Sequence, residues 1–361
     1  MMRAHNFSAG PATLPEDVLM QAAAELPEYR GTGMSLIESS HRSKAYDEVH
    51  TQTLERIKRM LGIDGTHEVL LLGGGATMQF GMVPMNLLSE GSFCDFTVSG
   101  AWAEKAAEDA AKIGETRIVF NGSDSGYTHL PSPYELETHP DAAYLHITSN
   151  ETINGLQWHD FPDTNGVPIV ADMSSDIMSR PLPMEKFGLV YAGAQKNLGP
   201  AGVTVVIIRN DLLQRCNADL PAYLRYPVHA TKQSLYNTPP VFAIYLMNLV
   251  LEWVESQGGV EAMQDASRVK SDLIYSIIDE SDGFYRCPVE APGRSRMNVV
   301  FNLETPELEA AFVKKSGEAG MVGLKGHRSV GGIRASLYNA LPMAAVSDLA
   351  GFMRGFAAEN G

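Results

Sequence analysis

Short apolar runs that stop on Gly, Asp, Thr or Asn, spaced by stretches of helical periodicity, fill the first two thirds of the chain. The runs cover residues 68–72, 94–98, 117–120, 143–147, 168–172 and 203–208, with one more opening at Leu189. Between several of them lie helical windows, residues 16–25, 48–61, 76–88 and 101–113, and a long one follows at 241–256. Strands that alternate with helices pack as a mostly parallel sheet with helices on its faces, and such sheets bind ligands beyond the carboxyl ends of their strands. The expected class is therefore α/β.

The polar residues at those ends become the candidates for chemistry. Asp172 closes one run, and Lys196 follows the next by a few residues, flanked by Gly193, Ala194, Gly199, Ala201 and Gly202, which leave room for a planar ligand. By its own window Lys196 reads more readily as a surface loop lysine. The run ending at Leu72 enters Gly73-Gly74-Gly75-Ala76-Thr77 and then a helix, a layout that offers unpaired amides to an anion. A tight structural turn explains the same glycines. Trp102 stands where a strand meets an alanine-rich helix and could stack on a ring, although large aromatics there are commonly core.

Composition narrows the classes. The chain has 361 residues with a net charge of −15, which disfavours nucleic acid as a partner for the surface as a whole. Its ten histidines form no His-Glu-x-x-His and no i, i+4 pair, so no metal is expected. Cys94, Cys216 and Cys287 are widely spaced and odd in number, which fits a reducing compartment. No stretch reaches a membrane-spanning length and residues 1–7 lack the apolar core of a signal peptide, so the cytoplasm is the expected location and no membrane is involved. A nicotinamide-dependent oxidoreductase would share the strand and helix alternation, but Gly-x-Gly-x-x-Gly is missing.

Organisation follows from the breaks. Residues 1–15 carry turn formers and read as an arm, residues 16–256 as a large domain, and residues 257–361 as a smaller α+β domain. In the small domain, residues 295–303 and 332–337 are the expected strands and 307–319 and 343–359 the expected helices. The segment 211–231 is expected to be irregular, and Pro239-Pro240 interrupts regular structure before the long helix.

A lysine amine, a carboxylate for a ring nitrogen, a flat aromatic and a phosphate cradle are together what pyridoxal 5′-phosphate requires of a protein. Lys196, Asp172, Trp102 and the pair Ala76 and Thr77 supply them. The blocks Asn6 to Ala12, Ser40-His41-Arg42, Gly73 to Phe80, Asn150 to Gly155, Tyr191 to Gly202, Tyr236 to Pro240, Lys325 to Arg328 and Gly331 to Ser336 together resemble the phosphoserine aminotransferases, in family order along nearly the whole chain. The resemblance implies the aspartate-aminotransferase-like fold of fold type I pyridoxal-phosphate enzymes. It also implies amino transfer between L-glutamate and 3-phosphohydroxypyruvate, with 4-phosphohydroxythreonine as a side substrate in the family.

Carried over by position, Lys196 resembles the Schiff-base lysine and Asp172 the pyridinium partner. Trp102 resembles the stacking residue, and Thr152 and Gln195 the groups near the ring hydroxyl. Ala76 and Thr77 match the phosphate turn; some members have arginine at the place of Thr77. Asn237 and Thr238 match residues that reach the phosphate from a neighbouring subunit, so a homodimer is implied. Arg334 is the candidate for the carboxylate common to all substrates, with His41, Arg42, His327 and Arg328 for the distal anion. Another small-substrate aminotransferase remains the nearest alternative. A cysteine desulfurase is disfavoured because no cysteine lies near these motifs.

Overall fold

A computed structural model describes residues 3–132 and 135–361. In chain order it contains β1 (His5–Asn6), α1 (Glu16–Glu25), α2 (Lys44–Met60), β2 (His67–Leu72), α3 (Gly75–Leu87), β3 (Phe93–Val98), α4 (Ala101–Ala110) and β4 (Glu115–Asn121). Next come β5 (Leu145–Thr148), the hairpin β6 (Asn150–Glu151) and β7 (Leu156–Gln157), β8 (Ile169–Asp172), β9 (Phe187–Gly193) and β10 (Thr204–Arg209). The remainder is α5 (Asn210–Arg215), α6 (Tyr226–Thr231), α7 (Val241–Ser256), α8 (Gly259–Asp279), β11 (Asn298–Phe301), α9 (Pro306–Glu318), β12 (Met321–Val322), β13 (Ile333–Ser336) and α10 (Met343–Asn360).

The central sheet has seven strands in the order β2-β10-β9-β8-β5-β3-β4. Only β10 runs against its neighbours, pairing Thr204 with Leu72 on one side and with Gly193 on the other. Because β10 is reversed, β2 points the same way as β9, and the glycine turn after Leu72 leaves from the same edge as Asp172 and Gly193. Thr148 of β5 lies beside Asp172 of β8, which in turn lies beside Tyr191 of β9. The sequence pattern thus converts into one polar edge.

Alternation along the strands sorts the core. Val69, Leu71, Val190, Ala192, Val205 and Ile207 face a cluster with residues of α1, α2 and α7. Leu70, Leu72, Leu189, Tyr191, Val206 and Ile208 face the opposite cluster with residues of α3, α4 and α5. Both faces are covered, which explains why these strands are continuously apolar in sequence. A third cluster joins α8, α9 and α10 to β11 and β13, and it includes Phe7. The first residues are therefore stitched to the C-terminal layer: β1 pairs with β12, Phe7 N donates to Val322 O at 2.8 Å, and Ser336 N donates to Phe7 O at 3.2 Å.

Some boundaries differ from the sequence expectation for local reasons. Helix α2 begins at Lys44, a turn before Glu48, because the Ser43 hydroxyl accepts from Tyr46 N and caps it. The segment expected to be irregular holds α5 and α6, the latter with Pro227 in its first turn, where proline starts a helix instead of breaking it. Strand β11 is shorter than expected because the Ser295 hydroxyl accepts from Met297 N and Asn298 N and turns the chain before it. Among the described residues, no helix is long and apolar enough to cross a membrane.

Phe7 is fully buried, so Phe7→Ala should remove about 3 kcal/mol of stability in equilibrium denaturant unfolding. An unchanged unfolding midpoint would mean that the arm does not support the C-terminal layer.

Candidate active site

At the polar edge, β2 enters Gly73, Gly74 adopts a left-handed φ of 91°, and α3 begins without a side-chain cap. A Cβ on Gly74 would sit 2.7 Å from Met78 Cβ, so glycine lets the turn fold tightly against its own helix. The first-turn amides of α3 are left for an outside acceptor, and Ala76 and Thr77 line a cavity with Trp102, Thr152, Asp172 and Lys196. Gln195, Thr148, Asn150 and Ser174 complete much of its wall.

Lys196 leaves β9 through Ala194 and Gln195. Its Nζ donates to Thr152 Oγ1 at 2.6 Å. Burial lowers its pKa to about 8; Asp172 opposes that shift and Arg334 adds to it. Gly10, with φ +133°, closes over it: a Cβ there would meet Lys196 Cγ at 3.2 Å. Ala12 N donates to Gln195 O at 2.9 Å, holding this part of the arm in place.

Asp172 is buried, and burial raises its pKa against two bonds from Ser174, Oγ at 2.6 Å and N at 2.9 Å, both to Oδ1. The Ser174 hydroxyl also accepts from Gly193 N at 3.1 Å, so β8 and β9 are tied together beside the carboxylate. A cation brought against Asp172 would reverse the burial penalty.

A second cavity adjoins the first and is lined by Tyr127, Asn154, His327 and Arg334. Arg334 Nη1 donates to Thr152 O at 3.3 Å, while its buried Nε has no partner among the described residues. Burial lowers the His327 pKa, and the charges of Arg334, Arg328 and Lys105 push it the same way. The Lys105 ammonium lies 4.4 Å over the Trp102 ring. Among the described residues, none of these cations makes an ion pair.

The structure therefore brings Lys196, Asp172, Trp102, Ala76, Thr77, Thr152 and Gln195 to one cavity, with His327 and Arg334 at the next. Arg328 is exposed on the same side. His41, Arg42, Asn237 and Thr238 line neither cavity of their own chain: His41 is half-buried and the other three are exposed. Ser174, Lys105 and Glu151 were not singled out from sequence. Asp172-Met173-Ser174 carried a usable signal for the first, an acid bonding to the residue two places on, whereas the other two depend on tertiary placement.

The cavity fits a planar phosphorylated cation. It has uncapped amides for the phosphate, a desolvated carboxylate for a positive ring nitrogen and an amine of lowered pKa for an aldehyde. Among the described residues there is no group of three His, Cys, Asp or Glu that could hold a metal ion.

Comparison with known proteins gives the family. The chain belongs to the class-V aminotransferase family, whose model matches residues 4–349. It is 53% identical over 356 residues to the phosphoserine aminotransferase of Geobacillus kaustophilus, covering 99% of each chain. It is 51% identical over 360 residues to that of Herpetosiphon aurantiacus, covering 100% of each. A solved phosphoserine aminotransferase from Bacillus circulans subsp. alkalophilus superposes with a TM-score of 0.98 at 51% identity, over 99% of each chain. Another solved structure, of radiation damage of the Schiff base in phosphoserine aminotransferase, has a TM-score of 0.98 at 47% identity and is covered over 100% of its length by 99% of this chain. The activity is that of a phosphoserine aminotransferase, the cofactor is pyridoxal 5′-phosphate, and the fold is type I.

In cofactor-free protein, the rate of pyridoxal phosphate uptake should rise with pH through a midpoint near 8, because the lowered pKa makes the amine neutral and nucleophilic above that value. A midpoint at the ordinary lysine value of about 10.4 would contradict the burial argument.

Proposed function

We propose that the two adjoining cavities transfer an amino group between L-glutamate and 3-phosphohydroxypyruvate, giving O-phospho-L-serine and 2-oxoglutarate. The observation that carries this reading is the set of cations at the site that make no ion pair among the described residues, Arg334, Arg328 and Lys105, with the neutral imidazole of His327 beside them, in a chain of net charge −15. Each of the paired substrates carries two anionic groups, so two cationic ends are what a shared pocket needs. Arg334 takes the carboxylate common to all substrates through its planar fork. His327 and Arg328 take the distal phosphate or second carboxylate.

The protein residues divide the remaining work. Ala76 and Thr77 hold the cofactor phosphate with amides and a hydroxyl at a helix N-terminus. Asp172 pairs with the ring nitrogen and keeps it protonated, Trp102 covers the ring, and Thr152 and Gln195 lie toward the ring hydroxyl. Bound there, pyridoxal phosphate supplies an aldehyde carbon for the amino group and an electron sink for the charge left at the substrate Cα. Lys196 Nζ first anchors the cofactor and then, as a free amine in a site that favours its neutral form, carries the proton between the substrate Cα and the cofactor C4′. Thr152, which accepts from Nζ at 2.6 Å, sets the place from which that amine moves. The folded arm at Gly10 limits access of water to it.

Asn237, Thr238, His41 and Arg42 complete the site from a second copy of the chain. This is supported by their absence from the lining of both cavities of their own chain and by the exposed apolar residues near them in sequence, Met34, Ile37 and Tyr236, which a homodimer would cover. The free thiols Cys94, Cys216 and Cys287 support a cytoplasmic location. The division into an arm at 1–15, a large domain at 16–256 and a small domain at 257–361 is supported by the separate apolar cluster of the C-terminal layer, with Phe7 of the arm seated in it.

Two measurements test this. Glutamate-dependent turnover should prefer 3-phosphohydroxypyruvate over unphosphorylated hydroxypyruvate by roughly a hundredfold in kcat/KM, and equal efficiencies would remove the distal anion role. Homodimers of Lys196→Ala, and of Asn237→Ala with Thr238→Ala, should each be inactive at limiting cofactor. Random mixing should restore roughly a quarter of wild-type activity, since half of the dimers then hold one intact site; no recovery would place these residues in their own chain's site.

A further inference from the structure

Glu151 stands between two cavity residues, Asn150 and Thr152, but does not itself line the cavity. Its side chain is fully buried. Oε1 accepts from Ala103 N at 2.8 Å and Oε2 from Trp102 N at 3.1 Å. From the same hairpin, Asn154 Oδ1 accepts from Ala101 N at 3.3 Å. The first three amides of α4 are thus received by the β6–β7 hairpin, while Gly100 at the N-cap contributes no side-chain bond. A Cβ on Gly100 would overlap Glu151 Cδ, so glycine at 100 is what admits the carboxylate.

Helix stability alone does not call for this arrangement. A Ser or Asp at the N-cap would receive an amide locally, at no desolvation cost. Here a charged group is buried instead, and burial pushes the Glu151 carboxyl up to about 7, with Asp172 adding to the rise while the two amide bonds and Lys196 oppose it. What the distant cap adds is orientation. It fixes the first turn of α4, and with it Trp102, to the hairpin whose next residue is Thr152, the acceptor of Lys196.

We propose that Glu151 is a positioning residue for amino transfer, locking the N-terminal turn of α4 to the β6–β7 hairpin so that the Trp102 ring is held at one angle over the cofactor. This rests on the reading of Trp102 as the residue that covers the ring. Bonds to two successive amides fix a direction as well as a distance, which a single acceptor does not, and above a pH of about 7, where the carboxyl is ionised, they are charge-assisted. The Glu151→Gln side chain has the same shape but presents an amide NH2 to one of the two backbone donors, so one bond is replaced by a donor–donor clash.

The test is a double-mutant cycle of Glu151→Gln with Trp102→Phe, read as the dissociation constant of pyridoxal phosphate and as the visible circular dichroism band of the bound cofactor. Trp102→Phe alone should weaken binding and shrink the band. Glu151→Gln alone should weaken binding roughly tenfold and shrink the same band, with far-ultraviolet dichroism unchanged. In the Trp102→Phe background, Glu151→Gln should add little. If its effects add in full, or if it leaves both readouts at wild type, the positioning role is overturned although Trp102 still covers the ring. If Trp102→Phe alone moves neither readout, the ring-covering reading fails and the proposal with it. Should Glu151→Gln not accumulate as folded protein, Glu151→Asp, whose shorter arm keeps the charge but cannot reach both amides, is read in the same cycle against the same outcomes.

Discussion

Removal of charged groups from water at the carboxyl edge of the sheet is the constraint on which the site depends. Lys196, Asp172 and Glu151 meet there, and burial is the leading cause of the shift in all three. For the amine, burial makes the neutral form accessible near neutral pH. For Asp172, it makes a facing cation favourable, since pairing offsets the penalty of an isolated buried carboxylate. One physical cause thus acts on both the amine and the carboxylate of the cavity.

The dry edge is a consequence of topology. Strands β8 and β9 are buried along their whole length because helices cover both sheet faces, so groups at their ends emerge into protein instead of bulk solvent. The reversed strand β10 matters equally. It lets β2 lie in the sheet yet still point its glycine turn to the edge where Asp172 and Lys196 emerge. An uncapped helix start, a carboxylate and an amine that are far apart in sequence thereby surround one small volume. Gly10 packs against Lys196 from a segment otherwise woven into the C-terminal layer, which links the lysine to the packing of Phe7.

Much of this was legible from sequence because it is encoded locally. Apolar runs with polar ends carried the parallel sheet, and Gly73 to Thr77 carried the tight turn into α3. Lys196 and Asp172 were recognisable because each ends or follows a run, while the parts given to Thr152 and Gln195 came from family resemblance and not from pattern. What was not legible depends on contacts between distant segments. Glu151 caps a helix that lies some fifty positions away in the chain, and its side chain type says nothing of that. Lys105 becomes part of the cationic rim only once α4 is set beside His327. Helix α6 was hidden by its proline, which reads as a breaker until it is seen to occupy the first turn. His41, Arg42, Asn237 and Thr238 show the opposite case, since their motifs are plain in sequence but a single chain does not bring them to its own cavity.

The central claim is that the buried amine of Lys196, facing Asp172 across one cavity, is the group that holds the cofactor. Borohydride reduction of the loaded enzyme, followed by proteolysis and mass spectrometry, tests it most directly. The account predicts one pyridoxyl adduct, on the peptide that contains Lys196. An adduct on another lysine, such as Lys105 at the rim or the buried Lys270, would contradict it.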